Sequence, residues 1–372
     1  MFDQFTYFVY LSLLFFVLIL TFKASRLNTI SSNKIHPTNT SKLSLYHFLA
    51  LFAISFVVGF RNEVGVDWLG YKDIFYDISA NIATYEVEYG YFLINKYVAV
   101  LGGSSSIMFF IIALISWYFI FLSVPNRLLP LTIFFLFADE MFFWSMNGVR
   151  QFVAICIFLY SIRFIITRSL LNYFIFISIA ILFHNSAIIL LPLYFVPFQK
   201  LYNQRFWFIA IIISTFFSNV PLIISGLQNI LMLIVPQVNL LSGYIGFIDR
   251  GQYVAEEISI GLGFLFRFIS SIFIIYFSIE VVKRYPKTKI YFVLFFISSV
   301  IFNLSYMVKP IGRVNIYFTV IHSVVLALIT YQLWASRKHQ IVSIIVVLLY
   351  FILFLSTIYN SSNLCNPYNF SF

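Results

Sequence analysis

The stretch "FLALFAISFVVGFRNEVGVDWLGYKDIFYDI", residues 48–78, sets two solvents side by side. Up to Phe60 it holds no charge; then Arg61, Glu63, Asp67, Lys72, Asp73 and Asp77 arrive in quick succession. An apolar run of this kind suits lipid, because a helix satisfies its own backbone and offers hydrocarbon only side chains. The charges mark where the chain leaves that solvent. The rest of the sequence repeats the pattern. Of 372 residues, 62% are hydrophobic and only 10% charged, against about 25% in soluble domains, and mean hydropathy is +0.96. This composition predicts an all-α polytopic membrane protein, a single integral membrane domain over residues 1–372, and excludes a string of soluble globular domains. The first apolar run, 5–22, follows no basic residue and precedes no small-residue cleavage site, so it reads as a retained span rather than a signal peptide. Cys156 and Cys365 are far apart and imply neither a disulfide framework nor a metal knuckle.

Runs near the roughly 20 residues needed to cross a bilayer lie at 5–22, 45–60, 106–124, 129–146, 148–166, 172–197, 206–224, 261–282, 290–308, 312–333 and 340–358. Their gaps sort by sign. Lys23, Arg26, Lys34 and Lys42 fill the first. Arg127, then Arg163 and Arg168, then Lys200 and Arg205, mark later ones. Lys283, Arg284, Lys287 and Lys289 mark another, and Arg337 and Lys338 the last, with Glu280 their one acid. The positive-inside rule makes these gaps cytoplasmic. The net charge of +10 is therefore a topology signal, and no nucleic-acid partner is expected. Parity adds a constraint. An unbroken helix over 172–197 would invert every later basic gap, whereas a break at "FHNS", 183–186, keeps them all inside. The broken form gives about 12 transmembrane helices, both termini outside, and two larger external loops, 61–105 and 225–260. In the first loop, "EYGYFLINKYVAVLG" (88–102) is amphipathic and suited to the interface. Non-helical backbone at membrane depth is tolerated where it lines a polar cavity, so the break also marks a place for a site.

Charges at the lip of spans are costly and are functional candidates by default. Arg61 ends the second span, Arg150 begins the fifth between Asn147 and Gln151, and His184 sits at the expected break. Arg313 begins the eleventh span, one turn after Lys309 with Pro310 between them, as at a helix start. The topology places all four of Arg61, Arg150, His184 and Arg313 near one face. Guanidiniums offer planar, bidentate donors suited to phosphate. Plainer roles fit too. Arg61 alone could anchor a helix at the headgroups, His184 could be structural, and Asp139 and Glu140 could pair with the cations. Asp67 follows Arg61 beyond Gly65. It could accept a hydroxyl proton or simply pair with arginine and shape the loop.

These segments carry a resemblance. "FRNEVGVDWLGYKDIF" is similar to the Arg…Gly-x-Asp…Tyr block of the EpsG family of bacterial exopolysaccharide proteins, which resemble the Wzy class of O-antigen and capsule polymerases. "EYGYFLINKYV" looks like the family's Glu-x-Gly block. "NGVRQFVAICIFLYSIRFI" is similar to its Asn-x-x-Arg-Gln segment and "NYFIFISIAILFHNSAIILLPLY" to its Phe-His-x-Ser segment. The match runs over about residues 55 to 335, its C-terminal third carried mainly by "KPIGRVNIYF". The resemblance implies a GT-C-like membrane glycosyltransferase acting at the outer face of the bacterial inner membrane. Donor and acceptor would be undecaprenyl-pyrophosphate-linked oligosaccharides, with a chain-length regulator and a flippase as partners beside membrane lipid. Arg150 and Arg313 would clamp pyrophosphate, helped by Arg61 and Lys309. Asn147 and Gln151 would flank the clamp. Asp67 or His184 would orient or deprotonate the acceptor hydroxyl. Tyr71, Trp68 and Tyr91 would stack on sugars or serve as interface-belt aromatics. No cofactor is implied, and no acidic pair has metal-ligand spacing. A polysaccharide ligase shares this donor chemistry. A flippase would spread its cations through a central cavity, and an acyltransferase would want His184 beside an acyl-donor path.

Overall fold

The computed structural model describes residues 3–27, 43–82, 87–217, 261–305, 309–361 and 363–371. Among them the regular structure is helical, and the one β feature is an isolated bridge between Arg61 and Phe370. The expected loop at 225–260 lies outside the described residues. The chain forms two compact units, one made of Met1–Tyr194 with Thr330–Phe372, the other of Phe195–Ile329.

The first unit holds α1 (Gln4–Leu27), α2 (Leu45–Gly59), α3 (Trp68–Ser79), α4 (Tyr89–Val100), α5 (Ser105–Ser123), α6 (Leu129–Ala138), α7 (Met141–Asn147), α8 (Val149–Ile166) and α9 (Leu170–Phe183). The second holds α10 (Phe198–Leu201), α11 (Gln204–Phe217), α12 (Leu262–Arg284), α13 (Lys289–Ser305) and most of α14 (Lys309–Ala335), whose end returns to the first unit ahead of α15 (Gln340–Asn360). Seven described helices are long and apolar enough to cross a membrane, or eight if α6 and α7, bent by 66° at Asp139 and Glu140, count as one span. The twelve expected spans also include α2, α9, a 3-10 segment at Asn185–Phe195 and α11, all apolar but shorter. The break expected at "FHNS" is present: α9 stops at Phe183, His184 is extended, and the 3-10 segment begins at Asn185.

In the first unit α8 is the most enclosed of the helices long enough to cross a membrane, packed against α5 and α9. Its neighbour Trp117 on α5 is fully buried among Phe137, Phe142 and Phe152, with ring centroids about 6 Å apart. Helix α2 closes on α5 through Gly59, where a Cβ would lie 2.5 Å from the Phe110 backbone. This small residue therefore sets where the chain leaves the apolar layer.

The segment after α15 lies back across that exit. Asn62 N–H donates to Asn369 O (2.9 Å), Gly65 N–H to Leu364 O (2.8 Å) and Ser371 N–H to Phe60 O (2.9 Å). Tyr368 N–H donates to Thr6 Oγ1 (2.6 Å) and its hydroxyl to Val57 O (2.8 Å), while Tyr10 donates to Cys365 O (2.6 Å). The start of α1, the end of α2, the 61–66 loop and the end of α15 thus share one face of this unit. The basic turns at Lys23, Arg127, Arg163 and Arg168 fall at the opposite ends of their helices.

Candidate active site

Four elements meet at the face just described. Arg150 is the second residue of α8, Glu88 precedes α4 at its N-cap, His184 ends α9, and Tyr71 projects from α3. Glu88 is the hub. One carboxylate oxygen accepts a charge-assisted bond from Arg150 Nη1, and the other lies 3.0 Å from His184 Nδ1 and 3.4 Å from the Asn185 amide. Gly90 makes the meeting feasible. A Cβ there would sit 2.9 Å from Leu182 O on α9, so only glycine lets α4 come this close to the helix that ends in His184.

Exposure orders the cluster. The Glu88 side chain is 8% exposed, while Arg150 is 26% and His184 19% exposed. The carboxylate therefore lies beneath, and the cation and imidazole reach the open side. Burial pushes the Glu88 carboxyl up, but the bond to His184 and the charge of Arg150 outweigh it and bring it down to about 2. The guanidinium of Arg150 stands 5.9 Å from the Tyr71 ring and 5.7 Å from the Tyr91 ring, which are 5.9 Å from each other. Tyr91 is fully buried and Tyr71 is 8% exposed, and burial raises both phenols. Both rings form the wall that holds Arg150. Trp68 is buried, with Lys72 Nζ 4.7 Å over its ring.

Arg61 has different surroundings. It is 1% exposed, and its Nε donates to Val64 O (3.0 Å), Nη2 to Met146 O (2.8 Å) and Nη1 to Val58 O, with Phe109 4.4 Å from its guanidinium. Burial pulls it down to about 10, so it stays charged at neutral pH. Its donors go to the chain, where they bind the end of α2, the loop and the end of α7 together. Asn147 does related work: its Oδ1 accepts the Val66 amide, and its Nδ2 donates to Phe143 O (3.1 Å) and Asn363 O (3.2 Å). Gly65, at φ +100°, carries the loop past Met146 and Asn147. Asp67 is exposed at the N-cap of α3, and its charge is felt by Tyr71. Gln151 is buried next to Arg150.

Thus the structure brings together Arg150, His184 and Tyr71, with Arg61, Asn147 and Asp67 shaping the adjoining loop. Arg313 and Lys309 belong to the second unit, at the start of α14, where Arg313 is exposed. That unit has its own buried polar set. Ser298 donates to Asn315 (2.9 Å), Asn303 donates to Ser214 (2.8 Å), and Ser270 lies 3.2 Å from His322. A cavity of about 20 Å³ beside Arg267, Asn303, Asn315 and His322 has room for one water.

Glu88 is the member of this cluster that sequence reasoning left without a role. Its signal was present, a carboxylate two residues before a glycine at the head of an amphipathic helix. Its partners lie on other elements, 62 and 96 residues away.

No curated protein and no solved structure matches the chain. The model of one family, described as the EpsG family, matches residues 44–370, a range that takes in the 61–67 loop, Glu88, Arg150, His184 and Arg313. The chain therefore belongs to the EpsG family, the family of Wzy-type polysaccharide polymerases.

Proposed function

We propose that the protein is a membrane polysaccharide polymerase of GT-C type that joins undecaprenyl-pyrophosphate-linked repeat units at the outer face of the bacterial inner membrane. The observation that carries this reading is the Arg150–Glu88–His184 cluster, a cation and an imidazole held at an open face by one buried carboxylate. The sidedness rests on the basic turns at the opposite helix ends, which the positive-inside rule assigns to the cytoplasm. With the shorter apolar segments included, the chain crosses about twelve times.

The acceptor hydroxyl attacks the anomeric carbon of the donor sugar. A new C–O bond forms, the C–O bond to the lipid pyrophosphate breaks, and the configuration inverts. Negative charge grows on the departing phosphate oxygen. Arg150 is placed to meet it with preorganised donors. Glu88 accepts from His184 Nδ1, which orients the ring and leaves Nε2 to take the acceptor proton. Asp67 is the alternative base. Arg61 and Asn147 position the loop. The Arg150 guanidinium supplies the charge stabilisation, and no step in this scheme calls for a metal.

Removing one preorganised donor of this kind lowers kcat by about 10²–10³. A gel of lipid-linked glycans should therefore show single capped repeat units in Arg150→Ala, with protein level unchanged. Polymer of normal length in that variant would sink the assignment. Arg150→Lys should fail as well if paired donors are required. Were the protein a ligase, its loss would instead leave long chains stranded on the lipid carrier, and the same gel separates the two.

A further inference from the structure

On the basic side of the first unit, away from the candidate active site, α1 and α15 part to leave an apolar cleft of about 860 Å³. Phe15, Ile19 and Phe22 from α1, Leu131 from α6 and Leu348 from α15 line it. Toward the opposite face the cleft is closed, where Phe15 meets Phe351 at 6.3 Å and Tyr7 donates to Leu355 O at 3.2 Å. At its mouth stand Ser25, Arg127 and Trp334. Arg127 lies in the tight turn from Pro125 to Leu129 that joins α5 to α6, and Arg26 sits 4.6 Å over the Phe22 ring on the cleft's edge.

The dimensions select an occupant. From Phe15 to Ser25 the cleft follows ten residues of α1, about 15 Å at the helical rise. That is one leaflet, half of the roughly 30 Å hydrocarbon layer. An acyl chain of one leaflet fills such a depth. The wall is mainly apolar, with Thr330 and Ser343 among its polar members, and the mouth carries a permanent positive charge and an interfacial tryptophan, the arrangement that meets a headgroup. Basic pockets between spans on the cytoplasmic side take anionic lipid headgroups.

We infer that this cleft is a binding site for one anionic glycerophospholipid of the basic-side leaflet, its acyl chains between α1 and α15 and its phosphate at Arg127. The lipid would complete the packing of α1 against α15 where the two helices do not touch.

The test uses the full chain, purified in detergent, stripped of lipid and titrated with phosphatidylglycerol or phosphatidylcholine of identical chains, with retained lipid counted by native mass spectrometry. Phosphatidylglycerol should be retained about fivefold better, the preference that one basic side chain near an anionic headgroup supplies. Arg127→Gln should abolish that preference while keeping chain binding. Leu131→Trp, which fills the cleft, should lose both lipids. Equal retention of the two lipids by the unaltered protein, an undiminished preference in Arg127→Gln, or full binding by Leu131→Trp would each overturn the inference. So would displacement of phosphatidylglycerol by undecaprenyl phosphate at equal concentration, since the cleft would then belong to the substrate path.

Discussion

Two arginines that look alike in sequence carry opposite consequences. Arg61 spreads its donors over three backbone carbonyls at 1% exposure, and each buried carbonyl left unsatisfied costs about 1–3 kcal/mol. Arg61→Ala should therefore lower the amount of folded protein in the membrane, where Arg150→Ala lowers product and leaves the amount alone. Equal protein levels for Arg61→Ala and wild type, measured by immunoblot, would contradict this division. Glu88 makes a prediction in pH. Its carboxyl falls from the usual 4.5 to about 2 on folding. A depressed carboxyl stabilises the fold above its unfolded value, and that contribution fades as pH drops through the folded one. In detergent, wild type should melt above Glu88→Gln at pH 6, and the gap should close between pH 4.5 and 2. A gap independent of pH would remove the ionised hub. Sequence reading found Arg150 and His184 because each punctuates an apolar run. It could not tell what Arg61 touches, because Met146 O reaches it from 85 residues away.

At the scale of elements, the break after Phe183 was legible from charge parity alone: only a broken 172–197 run keeps every basic gap on one side. The described helices also fall close to the apolar runs, since lipid imposes one length and one composition on whatever crosses it. The pairing of α4 with α9 was not legible. It depends on Gly90, and a glycine's use shows only when the neighbour it admits is in view. Gly90→Val would drive its side chain into Leu182 O, 2.9 Å from the ideal Cβ. Overpacking of this kind costs about 1–3 kcal/mol. The expected outcome is a protein that still inserts but has Glu88 withdrawn from His184, so that single repeat units accumulate as expected for Arg150→Ala. Wild-type polymer length in Gly90→Val would show that α4 need not touch α9 for activity.

For the whole molecule, composition alone identified a polytopic membrane protein, and the family match over residues 44–370 agrees with the ordered blocks read from the sequence. The contribution of residues 363–371 was hidden, because a short polar stretch has no periodicity to read. Those residues donate to and accept from the 60–65 loop, α1 and α2. Each such bond is worth about 0.5–1.5 kcal/mol. A stop after Asn360 should leave the spans inserted but abolish polymer and lower the melting temperature in detergent. Retained polymerisation by the shortened chain would show the loop to be self-supporting.

This backing segment, residues 363–371, also dictates timing. Phe60 to Gly65 leave the ribosome early, and their partners Leu364, Asn369 and Ser371 leave it about 300 residues later. Until then the loop before α3 lacks its support, so a nascent chain that has already threaded most of its helices into the bilayer still has an unfinished rim beside the candidate active site. If the proposed function holds, a chain stalled or clipped before residues 363–371 would join no repeat units.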